Sequence, residues 1–274
     1  MSPWWREQFQ VRLAPGEVGI ARWSRGPRRT FLDSETLVTG DGPGAPWQPA
    51  VDALARFLQA RRARGTDLRV EASGHFCRWM LLPPDDAIAT DAEWHAYARA
   101  SLEGVHGDRA RGWEFRLGAQ RAGESVPLCA MDRALLDQLR LACTAGGVRL
   151  AGVTTAFATA FDRHRSASRA PRSAFALLET GRCTLGVLAR GRWVHLSSVR
   201  CGTDFADVLL SQLAGPALQG VSASTPGRLQ VAAAEGLAAL PGRLGSWEVV
   251  RLDRGGQPGP GSRVEAGSLA GARV

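Results

Sequence analysis

One stretch of the sequence gathers residue types that bind anionic ligands at one end of a small sheet. Residues 174–204 predict three short strands, with turns at Glu179–Arg182 and Arg190–Gly191. Each turn contains a glycine, which adopts positive φ at little cost. In an antiparallel meander, the first turn and the Cys201–Thr203 junction project at the same end. Backbone N–H groups there can meet a ligand, so this end of the sheet is a candidate binding site.

The elements around this stretch repeat an order found near the N-terminus. After the meander, Thr203 or Asp204 is predicted to cap a helix with apolar residues at helical spacing. Near the N-terminus, the patterns predict three strands, a helix and a fourth strand, at residues 8–14, 18–23, 30–38, 49–64 and 68–72. The order β-β-β-α-β therefore occurs twice, as in a duplicated fold, although chance hairpins would give the same pattern.

More elements separate the two copies. The first three are an extended segment that ends at a proline pair (75–82), a helix that begins with a capping box (90–102) and a pair of strands (113–131). They are followed by a helix with an aspartate cap (132–146), a strand (148–153) and a short helix (157–161). Polar residues 163–172 predict a boundary. We therefore expect a first subdomain at 1–168 with a small inserted subdomain at about 74–131, a second at 169–252, and a flexible tail at 253–274.

The amino-acid composition indicates a globular protein. The 274 residues are 45% hydrophobic and 22% charged, which is typical of a globular chain with a real core. We expect no membrane span and no signal peptide. The five cysteines form no C-x-x-C pair, which indicates reduced thiols in a cytosol. The net charge of +8 comes entirely from scattered arginines; solvated surface is the first interpretation, and an acidic partner or phospholipid surface is the alternative.

Three segments resemble the PilM family of actin-like proteins, whose relatives include MshI-type proteins and the cytoplasmic domain of GspL. They are the strand ending in Leu-Pro before a helix (residues 71–83), the strand, helix and Ala-Gly turn of residues 129–153, and the Leu177–Phe205 segment with its Cys-Gly-Thr-Asp-Phe turn. The resemblance implies an α/β actin-like fold. Two ribonuclease-H-like subdomains, each β-β-β-α-β, would flank a cleft, in agreement with the repeated order.

The resemblance also points to phosphate-binding turns, which depart from the family pattern. Nucleotide-binding members carry an Asp-x-Gly turn in each subdomain, where a carboxylate helps to place Mg²⁺ and glycine N–H groups hold phosphate. Here the first turn has no aspartate, and Pro15 removes an N–H donor. The second turn has glutamate in place of aspartate. The candidate cofactor-binding residues are Gly16, Glu179, Gly181, Thr184, Gly202 and Asp204.

The function that the resemblance implies is a catalytically inactive scaffold in a type IV pilus or type II secretion-like platform. It would be cytoplasmic and peripheral to the inner membrane. In a groove of its first subdomain it would hold the cytoplasmic segment of a PilN-like single-span membrane protein, as an extended peptide or an added strand. Other platform proteins are further candidate partners. We expect no cofactor.

Two alternatives belong to other classes. The first is an actin-like ATPase that binds ATP with Mg²⁺ through Glu179, Thr184 and Asp204. The second is an arginine-rich nucleic-acid binder, which no zinc finger, aromatic RNA-binding motif or helix-turn-helix supports. The five histidines lack the spacing of a metal site.

Overall fold

The computed structural model describes residues 7–24, 30–40, 42, 44–61, 65–164, 170–215, 226–233 and 240–253. In these residues the chain forms three β-sheets and five α-helices. The strands are β1 Gln8–Ala14, β2 Glu17–Ser24, β3 Thr30–Val38, β4 Asp67–Ala72, β5 Cys77–Leu82, β6 Trp113–Leu117, β7 Val126–Asp132, β8 Arg149–Thr155, β9 Arg172–Glu179, β10 Arg182–Ala189, β11 Arg192–Arg200, β12 Gly227–Ala233, β13 Arg243–Leu244 and β14 Trp247–Asp253. The helices are α1 Gln48–Arg61, α2 Asp91–His106, α3 Arg133–Gly146, α4 Ala156–His164 and α5 Phe205–Leu213.

The first sheet has the strand order β3-β2-β1-β4-β8. Strands β1, β2 and β3 form an antiparallel meander, and β4 and β8 run parallel to β1. Side chains alternate between the two faces of each strand. One face buries apolar residues such as Val11, Leu13 and Ile20, which share a core with helices α1 and α3. The other face of β1, β2 and β4 carries small and polar residues.

The second sheet repeats this arrangement. Its order is β11-β10-β9-β12-β14-β13, with β9, β10 and β11 in an antiparallel meander and β12 and β14 parallel to β9. Five consecutive positions in this order therefore match the five strands of the first sheet. The duplicated order and the actin-like α/β fold predicted from the sequence are confirmed.

A third, small sheet, β5-β7-β6, is inserted between β4 and α3 and packs with α2 around its own core. The predicted capping box opens α2: the Thr90 hydroxyl accepts from the Glu93 N–H at 3.2 Å, and the Glu93 carboxylate accepts from the Thr90 N–H at 2.8 Å. Asp132 caps α3 by accepting from the Ala134 N–H, and Gly147 ends it in the left-handed conformation.

Helix α4 lies between the two large sheets. Its Phe157 and Phe161 rings each contact the Phe175 ring of β9, with centroids 5.6 Å apart in both pairs. Gly186 of β10 makes this packing possible, because a Cβ there would lie 2.4 Å from the Trp193 ring and 3.2 Å from Phe157. A helix that follows the first sheet in sequence thus completes a core of the second.

Several element boundaries differ from the sequence predictions. The extended segment predicted from His75 begins at Cys77, because Ser73–Phe76 form a turn closed by a hydrogen bond from the Phe76 N–H to the Ser73 carbonyl. Helix α5 begins after Asp204, but this side chain makes no capping hydrogen bond. Strand β14 ends at residue 253, where the predicted tail begins. Residues 254–274, like 62–64 and 165–169, lie outside the described residues, so the tail stays a prediction.

Within the described ranges, none of the helices combines the length and apolar character needed to cross a bilayer. The same ranges contain no cluster of three or more histidine, cysteine or acidic side chains arranged to hold a metal ion.

Candidate functional site

The turn between β1 and β2 holds the first candidate, Gly16. Its φ is +80°, a conformation that favours glycine. The Gly16 carbonyl accepts from the Thr39 N–H at 2.8 Å, and the Leu13 carbonyl just before the turn accepts from the Ser73 N–H at 2.8 Å. The end of β1 is therefore bonded to the Ser73–Phe76 turn, which we call the cover turn.

The turn between β9 and β10 lies under the cover turn. Glu179 is only 4% exposed, and its Oε2 accepts from the Gly74 N–H at 2.8 Å. Beside it, His75 Nε2 lies 2.9 Å from the Thr180 carbonyl oxygen. Gly181 takes a φ of +77°. Two hydrogen bonds between residues 105 positions apart thus join the two halves of the chain at the predicted phosphate turn.

The Gly74 backbone occupies the space above the candidate phosphate ligands. Thr184 is fully buried, and its hydroxyl lies 3.1 Å from the Ser198 hydroxyl. A Cβ on Gly74 would lie 2.8 Å from Glu179 Oε2 and 3.1 Å from Thr184 Oγ1. The Gly74 backbone therefore packs directly against both candidate phosphate ligands.

The remaining candidates lie beside the second turn. The Cys201 N–H donates to the Gly181 carbonyl at 3.2 Å, so the junction does project at the end of the sheet where the sequence predicted it. Gly202 has open space where a Cβ would be, and Asp204 is exposed. The structure therefore groups Glu179, Gly181 and Thr184 with this junction and places Gly16 on the turn of the other sheet.

Charged side chains lie close to Glu179, and one of them is buried. Arg182 is 7% exposed and donates to the Ser198 hydroxyl at 3.2 Å. Burial lowers the pKa of Arg182, the cations of Arg78 and Arg200 lower it further, and the Glu179 carboxylate opposes them. Burial also lowers the pKa of His75, against the hydrogen bond to Thr180. The Glu179 carboxylate thus favours the charged form of Arg182 and accepts a hydrogen bond from the cover turn.

Sequence reasoning missed Gly74 and His75, the two residues that make the contact. The sequence pattern places His75 in an extended segment and gives Gly74 no role. The available signal was a glycine two residues after β4, at the edge where parallel strands of an α/β sheet end and ligand sites form.

A groove lies on the face of the first sheet opposite its core. It has a volume of about 430 Å³ and is lined by β1, β2, β4 and one side of α4. Across the sheet, Thr36, Gly19, Arg12, Glu71 and Thr154 are neighbours in one row. The next row carries Ala21, Gln10 and Arg69. We call this the sheet groove.

Comparison with solved structures shows the fold. The cytoplasmic domain of EpsL, an inner-membrane component of the type II secretion system of Vibrio cholerae, matches with a TM-score of 0.55 and 14% identity, over 96% of this chain and 91% of that one. The PilM–PilN type IV pilus biogenesis complex matches with a TM-score of 0.59 and 14% identity, over 90% of this chain and 88% of that one. A Bacteroides thetaiotaomicron protein with an actin-like ATPase fold and unknown function matches at 0.55 and 12%, over 86% of each chain. No family model and no curated protein matches the sequence.

Proposed function

We propose that this chain is a non-catalytic actin-like scaffold in an inner-membrane assembly platform of the type IV pilus or type II secretion kind. The observation that carries the proposal is the hydrogen bond from the Gly74 N–H to the buried Glu179 carboxylate. This hydrogen bond engages Glu179, the one acidic side chain at the position where nucleotide-binding relatives have aspartate. An ATPase of this fold needs that carboxylate and the neighbouring N–H groups to be available to Mg²⁺ and phosphate.

The first turn supports the same conclusion. Its sequence is Ala14-Pro15-Gly16, which offers no carboxylate and one N–H fewer than an Asp-x-Gly turn. Opening the cover turn would still leave one acidic half-site of the two that the family uses. We therefore assign Glu179 and Thr184 to structure, and Gly16, Gly181, Gly202 and Asp204 to turns and the start of a helix.

We propose as partner the cytoplasmic segment of a PilN-like single-span protein. The support is the match to a PilM–PilN complex over 90% of this chain, together with the EpsL match. The scaffold would then be cytoplasmic and peripheral to the inner membrane through that partner. Within it we propose the division predicted above: a first subdomain at 1–168 with an insertion at about 74–131, and a second at 169–252.

Two titrations of the purified chain test the proposal. In the first, thermal denaturation is followed with millimolar Mg·ATP or Mg·ADP. A ligand at a hundredfold excess over Kd would stabilise the folded chain by about 2.7 kcal/mol, or roughly 5–10 °C at 2–4 °C per kcal/mol. We expect no saturable rise, and such a rise would overturn the non-catalytic assignment.

The second titration follows the fluorescence anisotropy of a labelled synthetic peptide. The peptide is the cytoplasmic segment of the PilN-like protein from the same organism, and a scrambled peptide is the control. Saturable binding of the native order alone is expected. Equal binding of both peptides, or of neither, would refute the proposed partner.

A further inference from the structure

The sheet groove contains an arginine that no described residue satisfies. Arg12 Nε is buried without a hydrogen-bond acceptor. Three other arginines have a buried, unsatisfied Nε, but their terminal nitrogens bind elsewhere: Arg22 to Asp33, Arg172 to Ser246 and Arg182 to Ser198. Arg12 makes no hydrogen bond or ion pair with any described residue. A buried donor without an acceptor is costly, and an ordered water, an ion or a ligand can satisfy such a group.

Neighbouring side chains give this donor an ion-binding setting. Arg69 lies on the adjacent strand, where the register pairs it with Gln10, two residues before Arg12 on the same face of β1. Two guanidinium groups and one amide thus share a short segment of the groove. Guanidinium groups hold carboxylate and phosphate through paired N–H donors.

The rest of the lining leaves space above these donors. Gly19 and Ala21 form the floor on β2, and Ala156 and Ala160 face the groove from α4. Three arginines and two glutamates, Glu17 and Glu71, line it in all, so cations outnumber anions by one. The volume of about 430 Å³ falls in the range of small-molecule sites, which begins at roughly 300 Å³.

We infer that the sheet groove binds a small molecule through an oxyanion, a carboxylate or a phosphate, held by Arg12 and Arg69 with Gln10 beside them. This site lies on the face of the first sheet and uses none of the cover-turn residues. It is therefore independent of the proposed function, and neither depends on the other.

The test measures ligand-induced stabilisation at constant ionic strength. Sodium phosphate and sodium citrate are titrated against the intact chain, with sodium chloride as the reference. Stabilisation by phosphate indicates a phosphate ligand, and stabilisation by citrate indicates a carboxylate ligand. The variants are Arg12→Gln, Arg69→Gln and, as a matched control, Arg56→Gln on the exposed surface of α1. We expect a saturable rise in melting temperature with at least one anion. Arg12→Gln should weaken the apparent affinity at least tenfold, and Arg56→Gln should leave it unchanged.

Three results would overturn the inference. The first is no stabilisation beyond that of chloride. The second is an equal loss of affinity in Arg56→Gln, which would indicate general charge screening. The third is stabilisation by a hexaglutamate peptide but by neither small anion, which would indicate an acidic protein partner. The unliganded melting temperature of Arg12→Gln is a further readout: an anion site predicts an unchanged or higher value, whereas a structural role for Arg12 predicts a lower one.

Discussion

Replacing Glu179 by alanine separates a structural carboxylate from a catalytic one. The substitution leaves the Gly74 N–H buried without its acceptor at 2.8 Å. It also removes the carboxylate that favours the charged form of buried Arg182. A buried donor left unsatisfied costs about 1–3 kcal/mol, and an uncompensated buried charge about 3–5 kcal/mol. We take about 3 kcal/mol as the combined loss.

The assay is thermal denaturation of the wild type, Glu179→Ala and Glu179→Gln, without nucleotide and with Mg·ATP. At about 2–4 °C per kcal/mol, the alanine variant should melt roughly 6–12 °C lower. The glutamine variant keeps an acceptor for the Gly74 N–H and should therefore fall less. Mg·ATP should change none of the three melting temperatures. An alanine variant that melts like the wild type would refute the structural role, and one that has lost only a nucleotide-dependent rise would make Glu179 a nucleotide ligand.

Two further predictions concern packing and pH. Gly186→Ala should lower the unfolding free energy by about 1–3 kcal/mol, because the new methyl group would lie 2.4 Å from the Trp193 ring. Urea titrations measure this loss, with Gly152→Ala as the control because a Cβ there meets nothing within 4 Å. Equal urea midpoints for the two variants would contradict the packing. Because burial holds the pKa of His75 below its ordinary 6.5, the unfolded chain binds more protons, so stability should fall as pH decreases from 6.5 through the folded-state pKa. His75→Gln should lose less stability over that interval, and a pH profile identical to the wild type's would rule out this contribution.

Local patterns predicted most elements of this fold. The Thr90–Glu93 spacing identified the start of α2, and the Gly146–Gly147 pair identified the end of α3. Turn glycines such as Gly181 and Gly191 marked the hairpins of the second sheet. Each of these signals acts over a few residues, which is why it can be read without knowledge of the tertiary structure.

The site was less predictable because its contacts are not local. The sequence located the second turn and its junction with Cys201, but Gly74 reaches Glu179 across 105 positions, and no spacing rule links them. Arg12 posed a similar problem. An alternating polar residue on a strand normally faces solvent, and only the register with Gly19 and Glu71, together with α4, shows that it lies in a groove.

The position of α4 affects how the second sheet folds during synthesis and where a C-terminal fragment can begin. As the ribosome releases the chain from its N-terminus, α4 emerges before β9, so its aromatic side chains are present when Phe175, Leu177 and Leu196 first need covering. A fragment beginning at residue 170 would leave that surface open, as a large apolar patch prone to association. A fragment beginning at residue 156 would carry its own cover. Anyone expressing the C-terminal half alone should therefore cut the gene before α4, although the sheet itself begins at Arg172.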